Sequence, residues 1–281
     1  MDKQTTAAPP TLLELQQISL GQAQRILCQH LNLRIQAGQR WLILGQNGCG
    51  KSTLLATLAG WQRPQSGEIY LRQTALNAWP ARQRAQQLAW LHQQDDNPFP
   101  MQVLEKILTG CHARLSRFAW ESTADRQRAM TLLQQLDLAE FAARDLGSLS
   151  GGERRRVSLA TVLMQDTPLL LLDEPLSQLD IHHQQQTLQL LSSVYADRTI
   201  LMVSHDPNHA WRFATHALLL FGDGQWQAGE IQQVLTPEHL SRLYQYPIKL
   251  MRDSQDQWLI PDQLNPDQPS SNQLNPDDHP S

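Results

Sequence analysis

The chain has 281 residues, of which 41% are hydrophobic and 18% charged, enough for one large α/β domain or two modest ones and too polar for a membrane-embedded protein. Its formal charge is −4, but four acidic residues (Asp262, Asp267, Asp277 and Asp278) lie in a C-terminal stretch without Lys or Arg, so the rest is balanced and we expect no nucleic-acid partner. Three cysteines without metal-ligand or disulfide spacing favour a reducing compartment, and no run approaches 18 apolar residues.

The predicted strands form two groups separated by a helical stretch. Alternating apolar residues over 13–18 and 31–35 predict half-buried strands. Short, mainly apolar runs predict further strands over residues 41–44, 68–71, 88–91, 169–172, 199–203 and 217–221. Between about residues 95 and 165 the periodicity is helical, most clearly over Asp125–Asp137. Strands that alternate with helices predict a parallel α/β sheet, with the helical stretch inserted as a subdomain.

Both ends of the chain differ from this pattern. Residues 1–10 are polar and are predicted to be flexible. Residues 260–281 are rich in Pro, Asp and Gln and repeat Gln-Leu-Asn-Pro-Asp at 263–267 and 273–277. With almost nothing to bury, this tail is predicted to be disordered, and the functional alternative is a docking tail.

A phosphate-binding pattern, G-x-x-x-x-G-K-[ST], follows the predicted strand at 41–44. Glycines let backbone N–H groups converge on phosphate oxygens, and the helix that follows favours an anion at its N-terminus. We expect Lys51 to bridge the β- and γ-phosphates, Ser52 to ligate Mg²⁺ and Thr53 to donate to the α-phosphate. The alternative is an accidental glycine turn. The predicted nucleotide site consists of Gly45, Gln46, Asn47, Gly48, Cys49, Gly50, Lys51, Ser52 and Thr53.

The thiol of Cys49 lies inside this loop and has two interpretations. It is either a small filler or a group that reacts when the nucleotide is absent. In the second case a bulky adduct would obstruct ATP, and ATP would slow labelling.

Two acids, Asp173 and Glu174, follow the apolar run at 169–172. A buried parallel strand delivers such side chains to the carboxyl edge of the sheet, where α/β proteins bind ligands. There Asp173 is placed to hold the Mg²⁺ shell, and Glu174 to orient or deprotonate a water in line with the γ-phosphate. The alternative is a strand that ends in an acidic loop.

The sequence Leu-Ser-Gly-Gly-Glu at 149–153, together with the phosphate loop, resembles the signature of the ATP-binding-cassette (ABC) ATPases. The resemblance covers about residues 11–250 and implies a RecA-like P-loop α/β core with an inserted α-helical subdomain, the ABC ATPase fold. On this basis we expect one ABC ATPase domain over residues 11–259. Its core takes residues 11–94 and 166–259, and its helical subdomain takes residues 95–165.

Further elements of that family then fall into order along the chain. Gln93 matches the Q-loop glutamine, although its neighbour Gln94 is an alternative. The Ser-Gln-Leu-Asp sequence that ends at Asp180 matches the D-loop, and His205 matches the switch histidine. The resemblance implies that Glu174 is the base, that His205 and Gln93 align the γ-phosphate, and that Ser52, Gln93 and Asp173 hold Mg²⁺.

The signature is expected to act as a second phosphate site. Ser150, Gly151 and Gly152 precede a predicted helix, so their backbone N–H groups should point at an anion. In ABC proteins that anion is the γ-phosphate of ATP held by another subunit, which implies a head-to-tail dimer around two nucleotides. The family often places an aromatic against adenine on its first strand, and Gln22 occupies that place here. A separate expectation is that His209 faces solvent on a helix.

Residues 222–244 are similar to the C-terminal part of importers for iron–siderophore, haem and vitamin B12, and Thr236 with Pro237 predicts a helix start within them. The resemblance implies an ATPase subunit that energises uptake of a metal chelate through a separate integral-membrane permease. A solute-binding protein would take part indirectly, and the chain would lie at the cytoplasmic face of the inner membrane. In this family a groove near the Q-loop takes a short permease helix. The alternatives are an exporter subunit and a soluble ABC ATPase, for example of the iron–sulfur assembly type.

Overall fold

The computed structural model describes residues 9–22, 25–93, 100–116, 119–253 and 257–262. The strands in these ranges are β1 (Thr11–Gln22), β2 (Arg25–Gln36), β3 (Arg40–Gly45), β4 (Ser66–Leu71), β5 (Thr74–Ala75), β6 (Leu88–Leu91), β7 (Leu169–Asp173), β8 (Thr199–Val203), β9 (His216–Leu220), β10 (Trp226–Glu230), β11 (Ile248–Arg252) and β12 (Gln257–Pro261). The α-helices are α1 (Lys51–Leu58), α2 (Ala81–Ala85), α3 (Val103–Leu108), α4 (Thr123–Gln135), α5 (Gly151–Met164), α6 (Ile181–Ser193), α7 (His209–Phe213), α8 (Ile231–Val234) and α9 (Pro237–Tyr244).

A six-stranded sheet forms the centre, in the order β10-β9-β3-β8-β7-β6. All neighbouring pairs from β9 to β6 are parallel, and β10 is antiparallel to β9. In register, Ile43 of β3 and Asp173 of β7 both lie beside Val203 of β8. The loops that follow these three strands therefore leave from the same edge of the sheet.

The central strand β3 is buried on both faces, as its apolar sequence predicts. Leu42 and Leu44 pack into one hydrophobic cluster with the helices α3, α4 and α5. Trp41 and Ile43 pack into a second cluster with α1 and with the antiparallel sheet β2-β1-β4-β5. The alternation places the sheet between a helical layer and a second sheet, in a layered α/β fold.

Side-chain caps define where the predicted helices begin. Ser122 Oγ accepts a hydrogen bond from Asp125 N at 3.1 Å, so α4 starts two residues earlier than the apolar periodicity predicts. Its Leu132 and Leu133 are buried, which fits the helical periodicity over Asp125–Asp137. Thr236 Oγ1 accepts from His239 N at 3.3 Å, which confirms the predicted start of α9.

The strand predictions are confirmed to within one or two residues at most ends, but three later strands were not predicted. β10 pairs with β9, and β11 pairs with β12 in a separate antiparallel hairpin. Since β12 runs to Pro261, the predicted start of the tail at residue 260 falls inside a strand. The predictions for residues 1–8 and 263–281 lie outside the described residues. Among the described residues, no helix has both the length and the hydropathy needed to cross a membrane.

Candidate functional site

The loop after β3 has the backbone geometry of a phosphate cradle. Gly48 and Gly50 have φ angles of 74° and 107°, in the left-handed region that favours glycine. A Cβ at Gly50 would also lie 2.9 Å from Cβ of Leu27. The loop passes directly into α1 at Lys51, so the positive end of the helix dipole adjoins it and favours an anion there.

The Lys51 ammonium is buried against this loop. Its Nζ donates to the carbonyl oxygens of Gly45 at 2.7 Å and Gln46 at 3.1 Å. The side chain also lines a cleft of about 320 Å³. The cleft is formed by Gln22, Asn47, Gly48, Gly50, Lys51, Ser52, Thr53, Gln93, Glu174 and His205. The Lys51 ammonium and the backbone of the loop line the same cleft, and this combination suits a polyphosphate.

Asp173 ends β7 beside the loop and is 1% exposed. Burial raises the pKa of its carboxyl group, and a hydrogen bond with the Ser52 side chain opposes that rise. Its Oδ1 has no hydrogen-bond partner among the described residues. A buried carboxylate oxygen without a partner, next to a hydroxyl, fits the oxygen ligands that Mg²⁺ prefers. Ser52 and Asp173 therefore suit the Mg²⁺ site that the sequence predicts, and Gln93, the third predicted ligand, lines the same cleft.

The three residues predicted to be catalytic meet at the mouth of the same cleft. Glu174 Oε1 lies 2.7 Å from His205 Nε2, and Gln93 Nε2 donates to Glu174 Oε2 at 3.2 Å. Each carboxylate oxygen thus has one fixed neighbour, and the carboxylate faces the phosphate loop. Gln94, the alternative for the Q-loop, lies outside the described residues.

The backbone of Glu174 is held in an unusual conformation. Its φ angle is 52°, in the left-handed region that a residue with a side chain adopts at a cost. Ser177 stabilises it, because its N and Oγ both donate to the Glu174 carbonyl oxygen, at 3.1 and 2.9 Å. The turn aims the carboxylate back over the sheet edge, toward Gln93 and His205.

Arg155 of α5 was not identified from the sequence, yet it contacts the backbone of this site. Its guanidinium donates to the carbonyl oxygens of His92 at 2.6 Å and Gln93 at 3.3 Å. It also donates to those of Asp173 and Glu174, the latter at 3.0 Å from Nη2. In the sequence Arg155 is the middle of three arginines, a pattern that is typical of a solvated helix face.

The C-terminal elements also contact the site, and this too was not predicted. Gln46 Nε2 donates to the Leu243 carbonyl oxygen at 2.9 Å, which joins the phosphate loop to α9. Asn208 Nδ2 donates to the Leu259 carbonyl oxygen at 3.1 Å, and Leu259 N donates back to Asn208 Oδ1 at 2.8 Å. The loop that carries His205 is thereby tied to β12.

The signature residues form a separate structure at the start of α5. Ser150 N donates to Glu153 Oε2 at 2.7 Å, and Glu153 N donates to Ser150 Oγ at 3.3 Å, in a capping box. A Cβ on Gly151 or Gly152 would lie 2.5 or 2.8 Å from Gln178 of the D-loop. None of these residues is among those that line the phosphate-loop cleft.

Asp180 likewise does not line the cleft. Its Oδ1 accepts from His183 N at 2.8 Å and so caps α6. The structure therefore brings the phosphate loop, Gln93, Glu174 and His205 to one cleft, with Asp173 buried beside it against Ser52. It places the signature and Asp180 elsewhere on the chain.

His209 and Cys49 are both buried, and this decides two points that the sequence raised. His209 is 9% exposed, and its Nδ1 lies 2.8 Å from Ser204 Oγ, so the prediction that it faces solvent is wrong. Burial lowers its pKa. Cys49 is 1% exposed, and burial raises the pKa of its thiol. The structure therefore favours the filler interpretation of Cys49 over the reactive one, because the thiolate is the reactive form.

Three comparisons with known proteins agree with this geometry. The profile of the ABC transporter family matches residues 28–177. The chain is 36% identical over 243 residues to the iron(3+)-hydroxamate import ATP-binding protein of Bacillus subtilis, covering 86% of this chain and 90% of that protein. It is 35% identical over 229 residues to the molybdate import ATP-binding protein of Haemophilus influenzae, covering 81% and 85%.

The fold also matches a solved structure. A metal-chelate type ABC transporter in an inward-facing conformation superposes with a TM-score of 0.76 at 31% sequence identity. The match covers 90% of this chain and 98% of that chain. The likeness therefore extends beyond the phosphate loop to nearly the whole described chain.

The cysteine environment gives a direct test of the loop geometry. We expect a thiol reagent at pH 7–8 to label the native protein slowly, since burial raises the pKa of Cys28, Cys49 and Cys111 and so lowers their thiolate fractions. In denaturant all three thiols should react rapidly. Counting modified thiols over time with and without ATP is the measurement. One fast native thiol that ATP protects would contradict the buried placement of Cys49.

Proposed function

The chain belongs to the ABC transporter family of ATPases, and we propose that it is the ATP-hydrolysing subunit of an importer that takes up a metal chelate through a separate permease. The observation that carries the catalytic part is the Glu174 carboxylate, held by Gln93 and His205 beside the phosphate loop. The transport part is supported by the import function in the names of both relatives and by the metal-chelate transporter of similar fold.

The residues of the cleft have distinct roles in the proposed reaction. Lys51 and the loop N–H groups bind the phosphates of ATP, and the Lys51 ammonium exchanges its loop carbonyl partners for phosphate oxygens. Ser52 and Asp173 would hold Mg²⁺, which supplies positive charge to the bound phosphates. Glu174 accepts a proton from water as the water oxygen attacks the γ-phosphorus and the bond to ADP breaks.

Gln93 and His205 orient the Glu174 carboxylate and keep the attacking water on the γ-phosphate side. Both side chains bond to the Glu174 carboxylate, and both also line the cleft. Each can therefore fix the direction of the proposed base. Gln22 at the end of β1 also lines the cleft, which supports its proposed place beside adenine.

A second copy of the chain is proposed to complete each site. The N-terminus of α5 carries Ser150, Gly151 and Gly152 but lies outside the cleft of its own chain. The positive end of the helix dipole suits the γ-phosphate of an ATP held by a partner. Two copies arranged head to tail would each supply a signature to the other, with Asp180 near the shared interface.

The permease is proposed to dock beside the Q-loop. Trp61 is 74% exposed, and its ring lies 5.6 Å from the ring of Trp90 and 5.2 Å from that of His92, measured between centroids. His92 directly precedes Gln93, so the surface and the catalytic cleft share one loop. An exposed aromatic surface of this kind suits a short amphipathic helix of the permease and would place the chain at the cytoplasmic face of the inner membrane.

Substitution of the base should separate binding from hydrolysis. Glu174→Gln is expected to bind ATP, to lose hydrolysis by about 10²-fold or more, and to accumulate as an ATP-bound dimer, because the amide cannot accept the proton. Lys51→Ala is expected to lose ATP binding instead. Light scattering with ATP and a phosphate-release assay measure both outcomes. Hydrolysis by Glu174→Gln at the wild-type rate would overturn the role of the base.

Trp61→Ala is expected to reduce recovery of the permease at least about fivefold when the tagged chain is purified from its native membranes in mild detergent, since it removes the aromatic surface. Trp120→Ala is the matched control, because Trp120 is also exposed, at 88%, but lies outside the Trp61–Trp90–His92 group. Mass spectrometry identifies the partners. An eluate of the wild-type chain with soluble proteins and no permease would favour the soluble ABC ATPase.

The cargo is tested by uptake into cells in which the chain is replaced by its Glu174→Gln variant. We expect uptake of radiolabelled ferric hydroxamate to fall to background and uptake of molybdate to remain, because one relative is named for iron(3+)-hydroxamate import and the solved transporter of similar fold is of the metal-chelate type. Cells with the wild-type chain are the control. Loss of molybdate uptake with normal ferric hydroxamate uptake would assign the oxyanion as cargo instead.

A further inference from the structure

Arg155 joins the signature helix to both loops that carry the catalytic side chains. It lies on α5, is 6% exposed, and donates to carbonyl oxygens on each side of the cleft mouth. On one side the acceptors are His92 and Gln93, and on the other they are Asp173 and Glu174. Its Nε also donates to the Glu174 carbonyl oxygen, at 3.3 Å. One guanidinium thus spans two loops that are distant in sequence.

The planar shape of the guanidinium matters for this arrangement. Its five N–H donors lie in one rigid fork, so loops bonded to different edges of the fork keep a fixed separation. Two of the four acceptors are the backbone carbonyls of Gln93 and Glu174 themselves, and Gln93 Nε2 lies 3.2 Å from Glu174 Oε2. A shift of the fork therefore moves the backbone from which both side chains project.

The neighbouring arginines show that this role belongs to one position. Arg156 is also buried, but its Nη1 donates to the carbonyl oxygens of Leu136 and Asp137, at 2.6 and 3.2 Å, after α4. Arg154 is exposed and donates to the Leu149 carbonyl oxygen at 2.9 Å. Arg156 thus provides a buried arginine of the same helix whose described bonds do not reach the catalytic loops.

The position of Arg155 along α5 connects it to the signature. Ser150 caps the helix, and Arg155 follows less than two helical turns later. Any displacement of the helix N-terminus is carried to the guanidinium by a rigid element.

We propose that Arg155 is a positioning residue that sets the geometry of Gln93 and Glu174 in response to the signature of the same chain. The inference rests on the proposed function, in which Glu174 is the base and the signature binds ATP of a second copy. In the dimer, engagement of the signature by that ATP shifts α5, and Arg155 transmits the shift to the base of its own site. The two ATP sites are coupled through this side chain.

The test compares matched substitutions at the two buried arginines in the purified full-length chain. We expect Arg155→Met to lower ATP hydrolysis per nucleotide-binding site by about 10- to 100-fold, because a displacement of about 1 Å at reacting groups has effects of this size. The dissociation constant for ATP should change less than about threefold, since Arg155 does not line the cleft. Arg156→Met should lower the melting temperature but change hydrolysis per site less than about threefold.

Hydrolysis is normalised to the number of ATP sites measured by equilibrium dialysis, so that misfolded protein does not count as slow enzyme. Arg155→Lys keeps the charge and some donors but cannot span both loops, so its rate per site should lie between those of wild type and Arg155→Met. If Arg155→Met does not fold, the hydrolysis rate per site of Arg155→Lys tests the inference instead. A rate per site at least about threefold below wild type supports the inference, and a wild-type rate overturns it.

Two further outcomes separate this inference from the proposed function. Equal losses for Arg155→Met and Arg156→Met, in proportion to their melting temperatures, would show that Arg155 is only structural and overturn the inference. If Glu174→Gln hydrolyses ATP normally, the base assignment fails and the inference falls with it. If Glu174→Gln is inactive while Arg155→Met has the wild-type rate, the proposed function stands and the positioning role alone is wrong.

Discussion

The parallel register of β3, β7 and β8 is the constraint on which the site depends. Ile43 and Asp173 both lie beside Val203, so the three following loops leave one sheet edge at the same level. β6 extends the register, because Leu91 pairs with Leu172. Lys51, Gln93, Glu174 and His205 lie far apart in the sequence, and only this alignment brings them to one cleft. A slip of one residue in β7 would turn Asp173 from one face of the sheet to the other.

The charged groups buried at this edge have partners that suit the binding of a polyanion together with a divalent cation. The Lys51 ammonium and the Arg155 guanidinium are both bonded to backbone carbonyls, which satisfy a cation without neutralising it. Asp173 is buried, its Oδ1 has no hydrogen-bond partner in the part of the chain that the structure describes, and burial raises the pKa of its carboxyl group. A cation at that oxygen would favour the ionised carboxylate and so offset the cost of burying its charge.

A structural feature can be predicted from the sequence when neighbouring residues determine it, and not when distant residues do. The strands at 41–44 and 199–203 are apolar on both faces, and Thr236 with Pro237 marks a helix start, so these follow from the sequence. The site residues Lys51, Glu174 and His205 could be named because they stand in short motifs that resemble those of ABC ATPases. β10 is held by its pairing with β9 and has no buried residue. Its sequence therefore shows no apolar alternation from which a strand could be predicted. His209 and Arg155 are polar residues buried by tertiary contacts, and a polar residue on a helix gives no sequence signal for that.

Glu174 is where the two unpredicted sets of contacts meet, and this gives its strained backbone a physical explanation. Arg155 fixes its carbonyl from the side of the signature helix, while His205, on the loop that Asn208 ties to β12, fixes its carboxylate. A residue with a φ angle of 52° persists only when its surroundings determine it from several directions. With the tethers on separate elements, α5 and β12, relative movement of those elements changes the aim of the carboxylate without breaking the sheet. The proposed base is therefore held from two sides, so movement of either element would redirect its carboxylate.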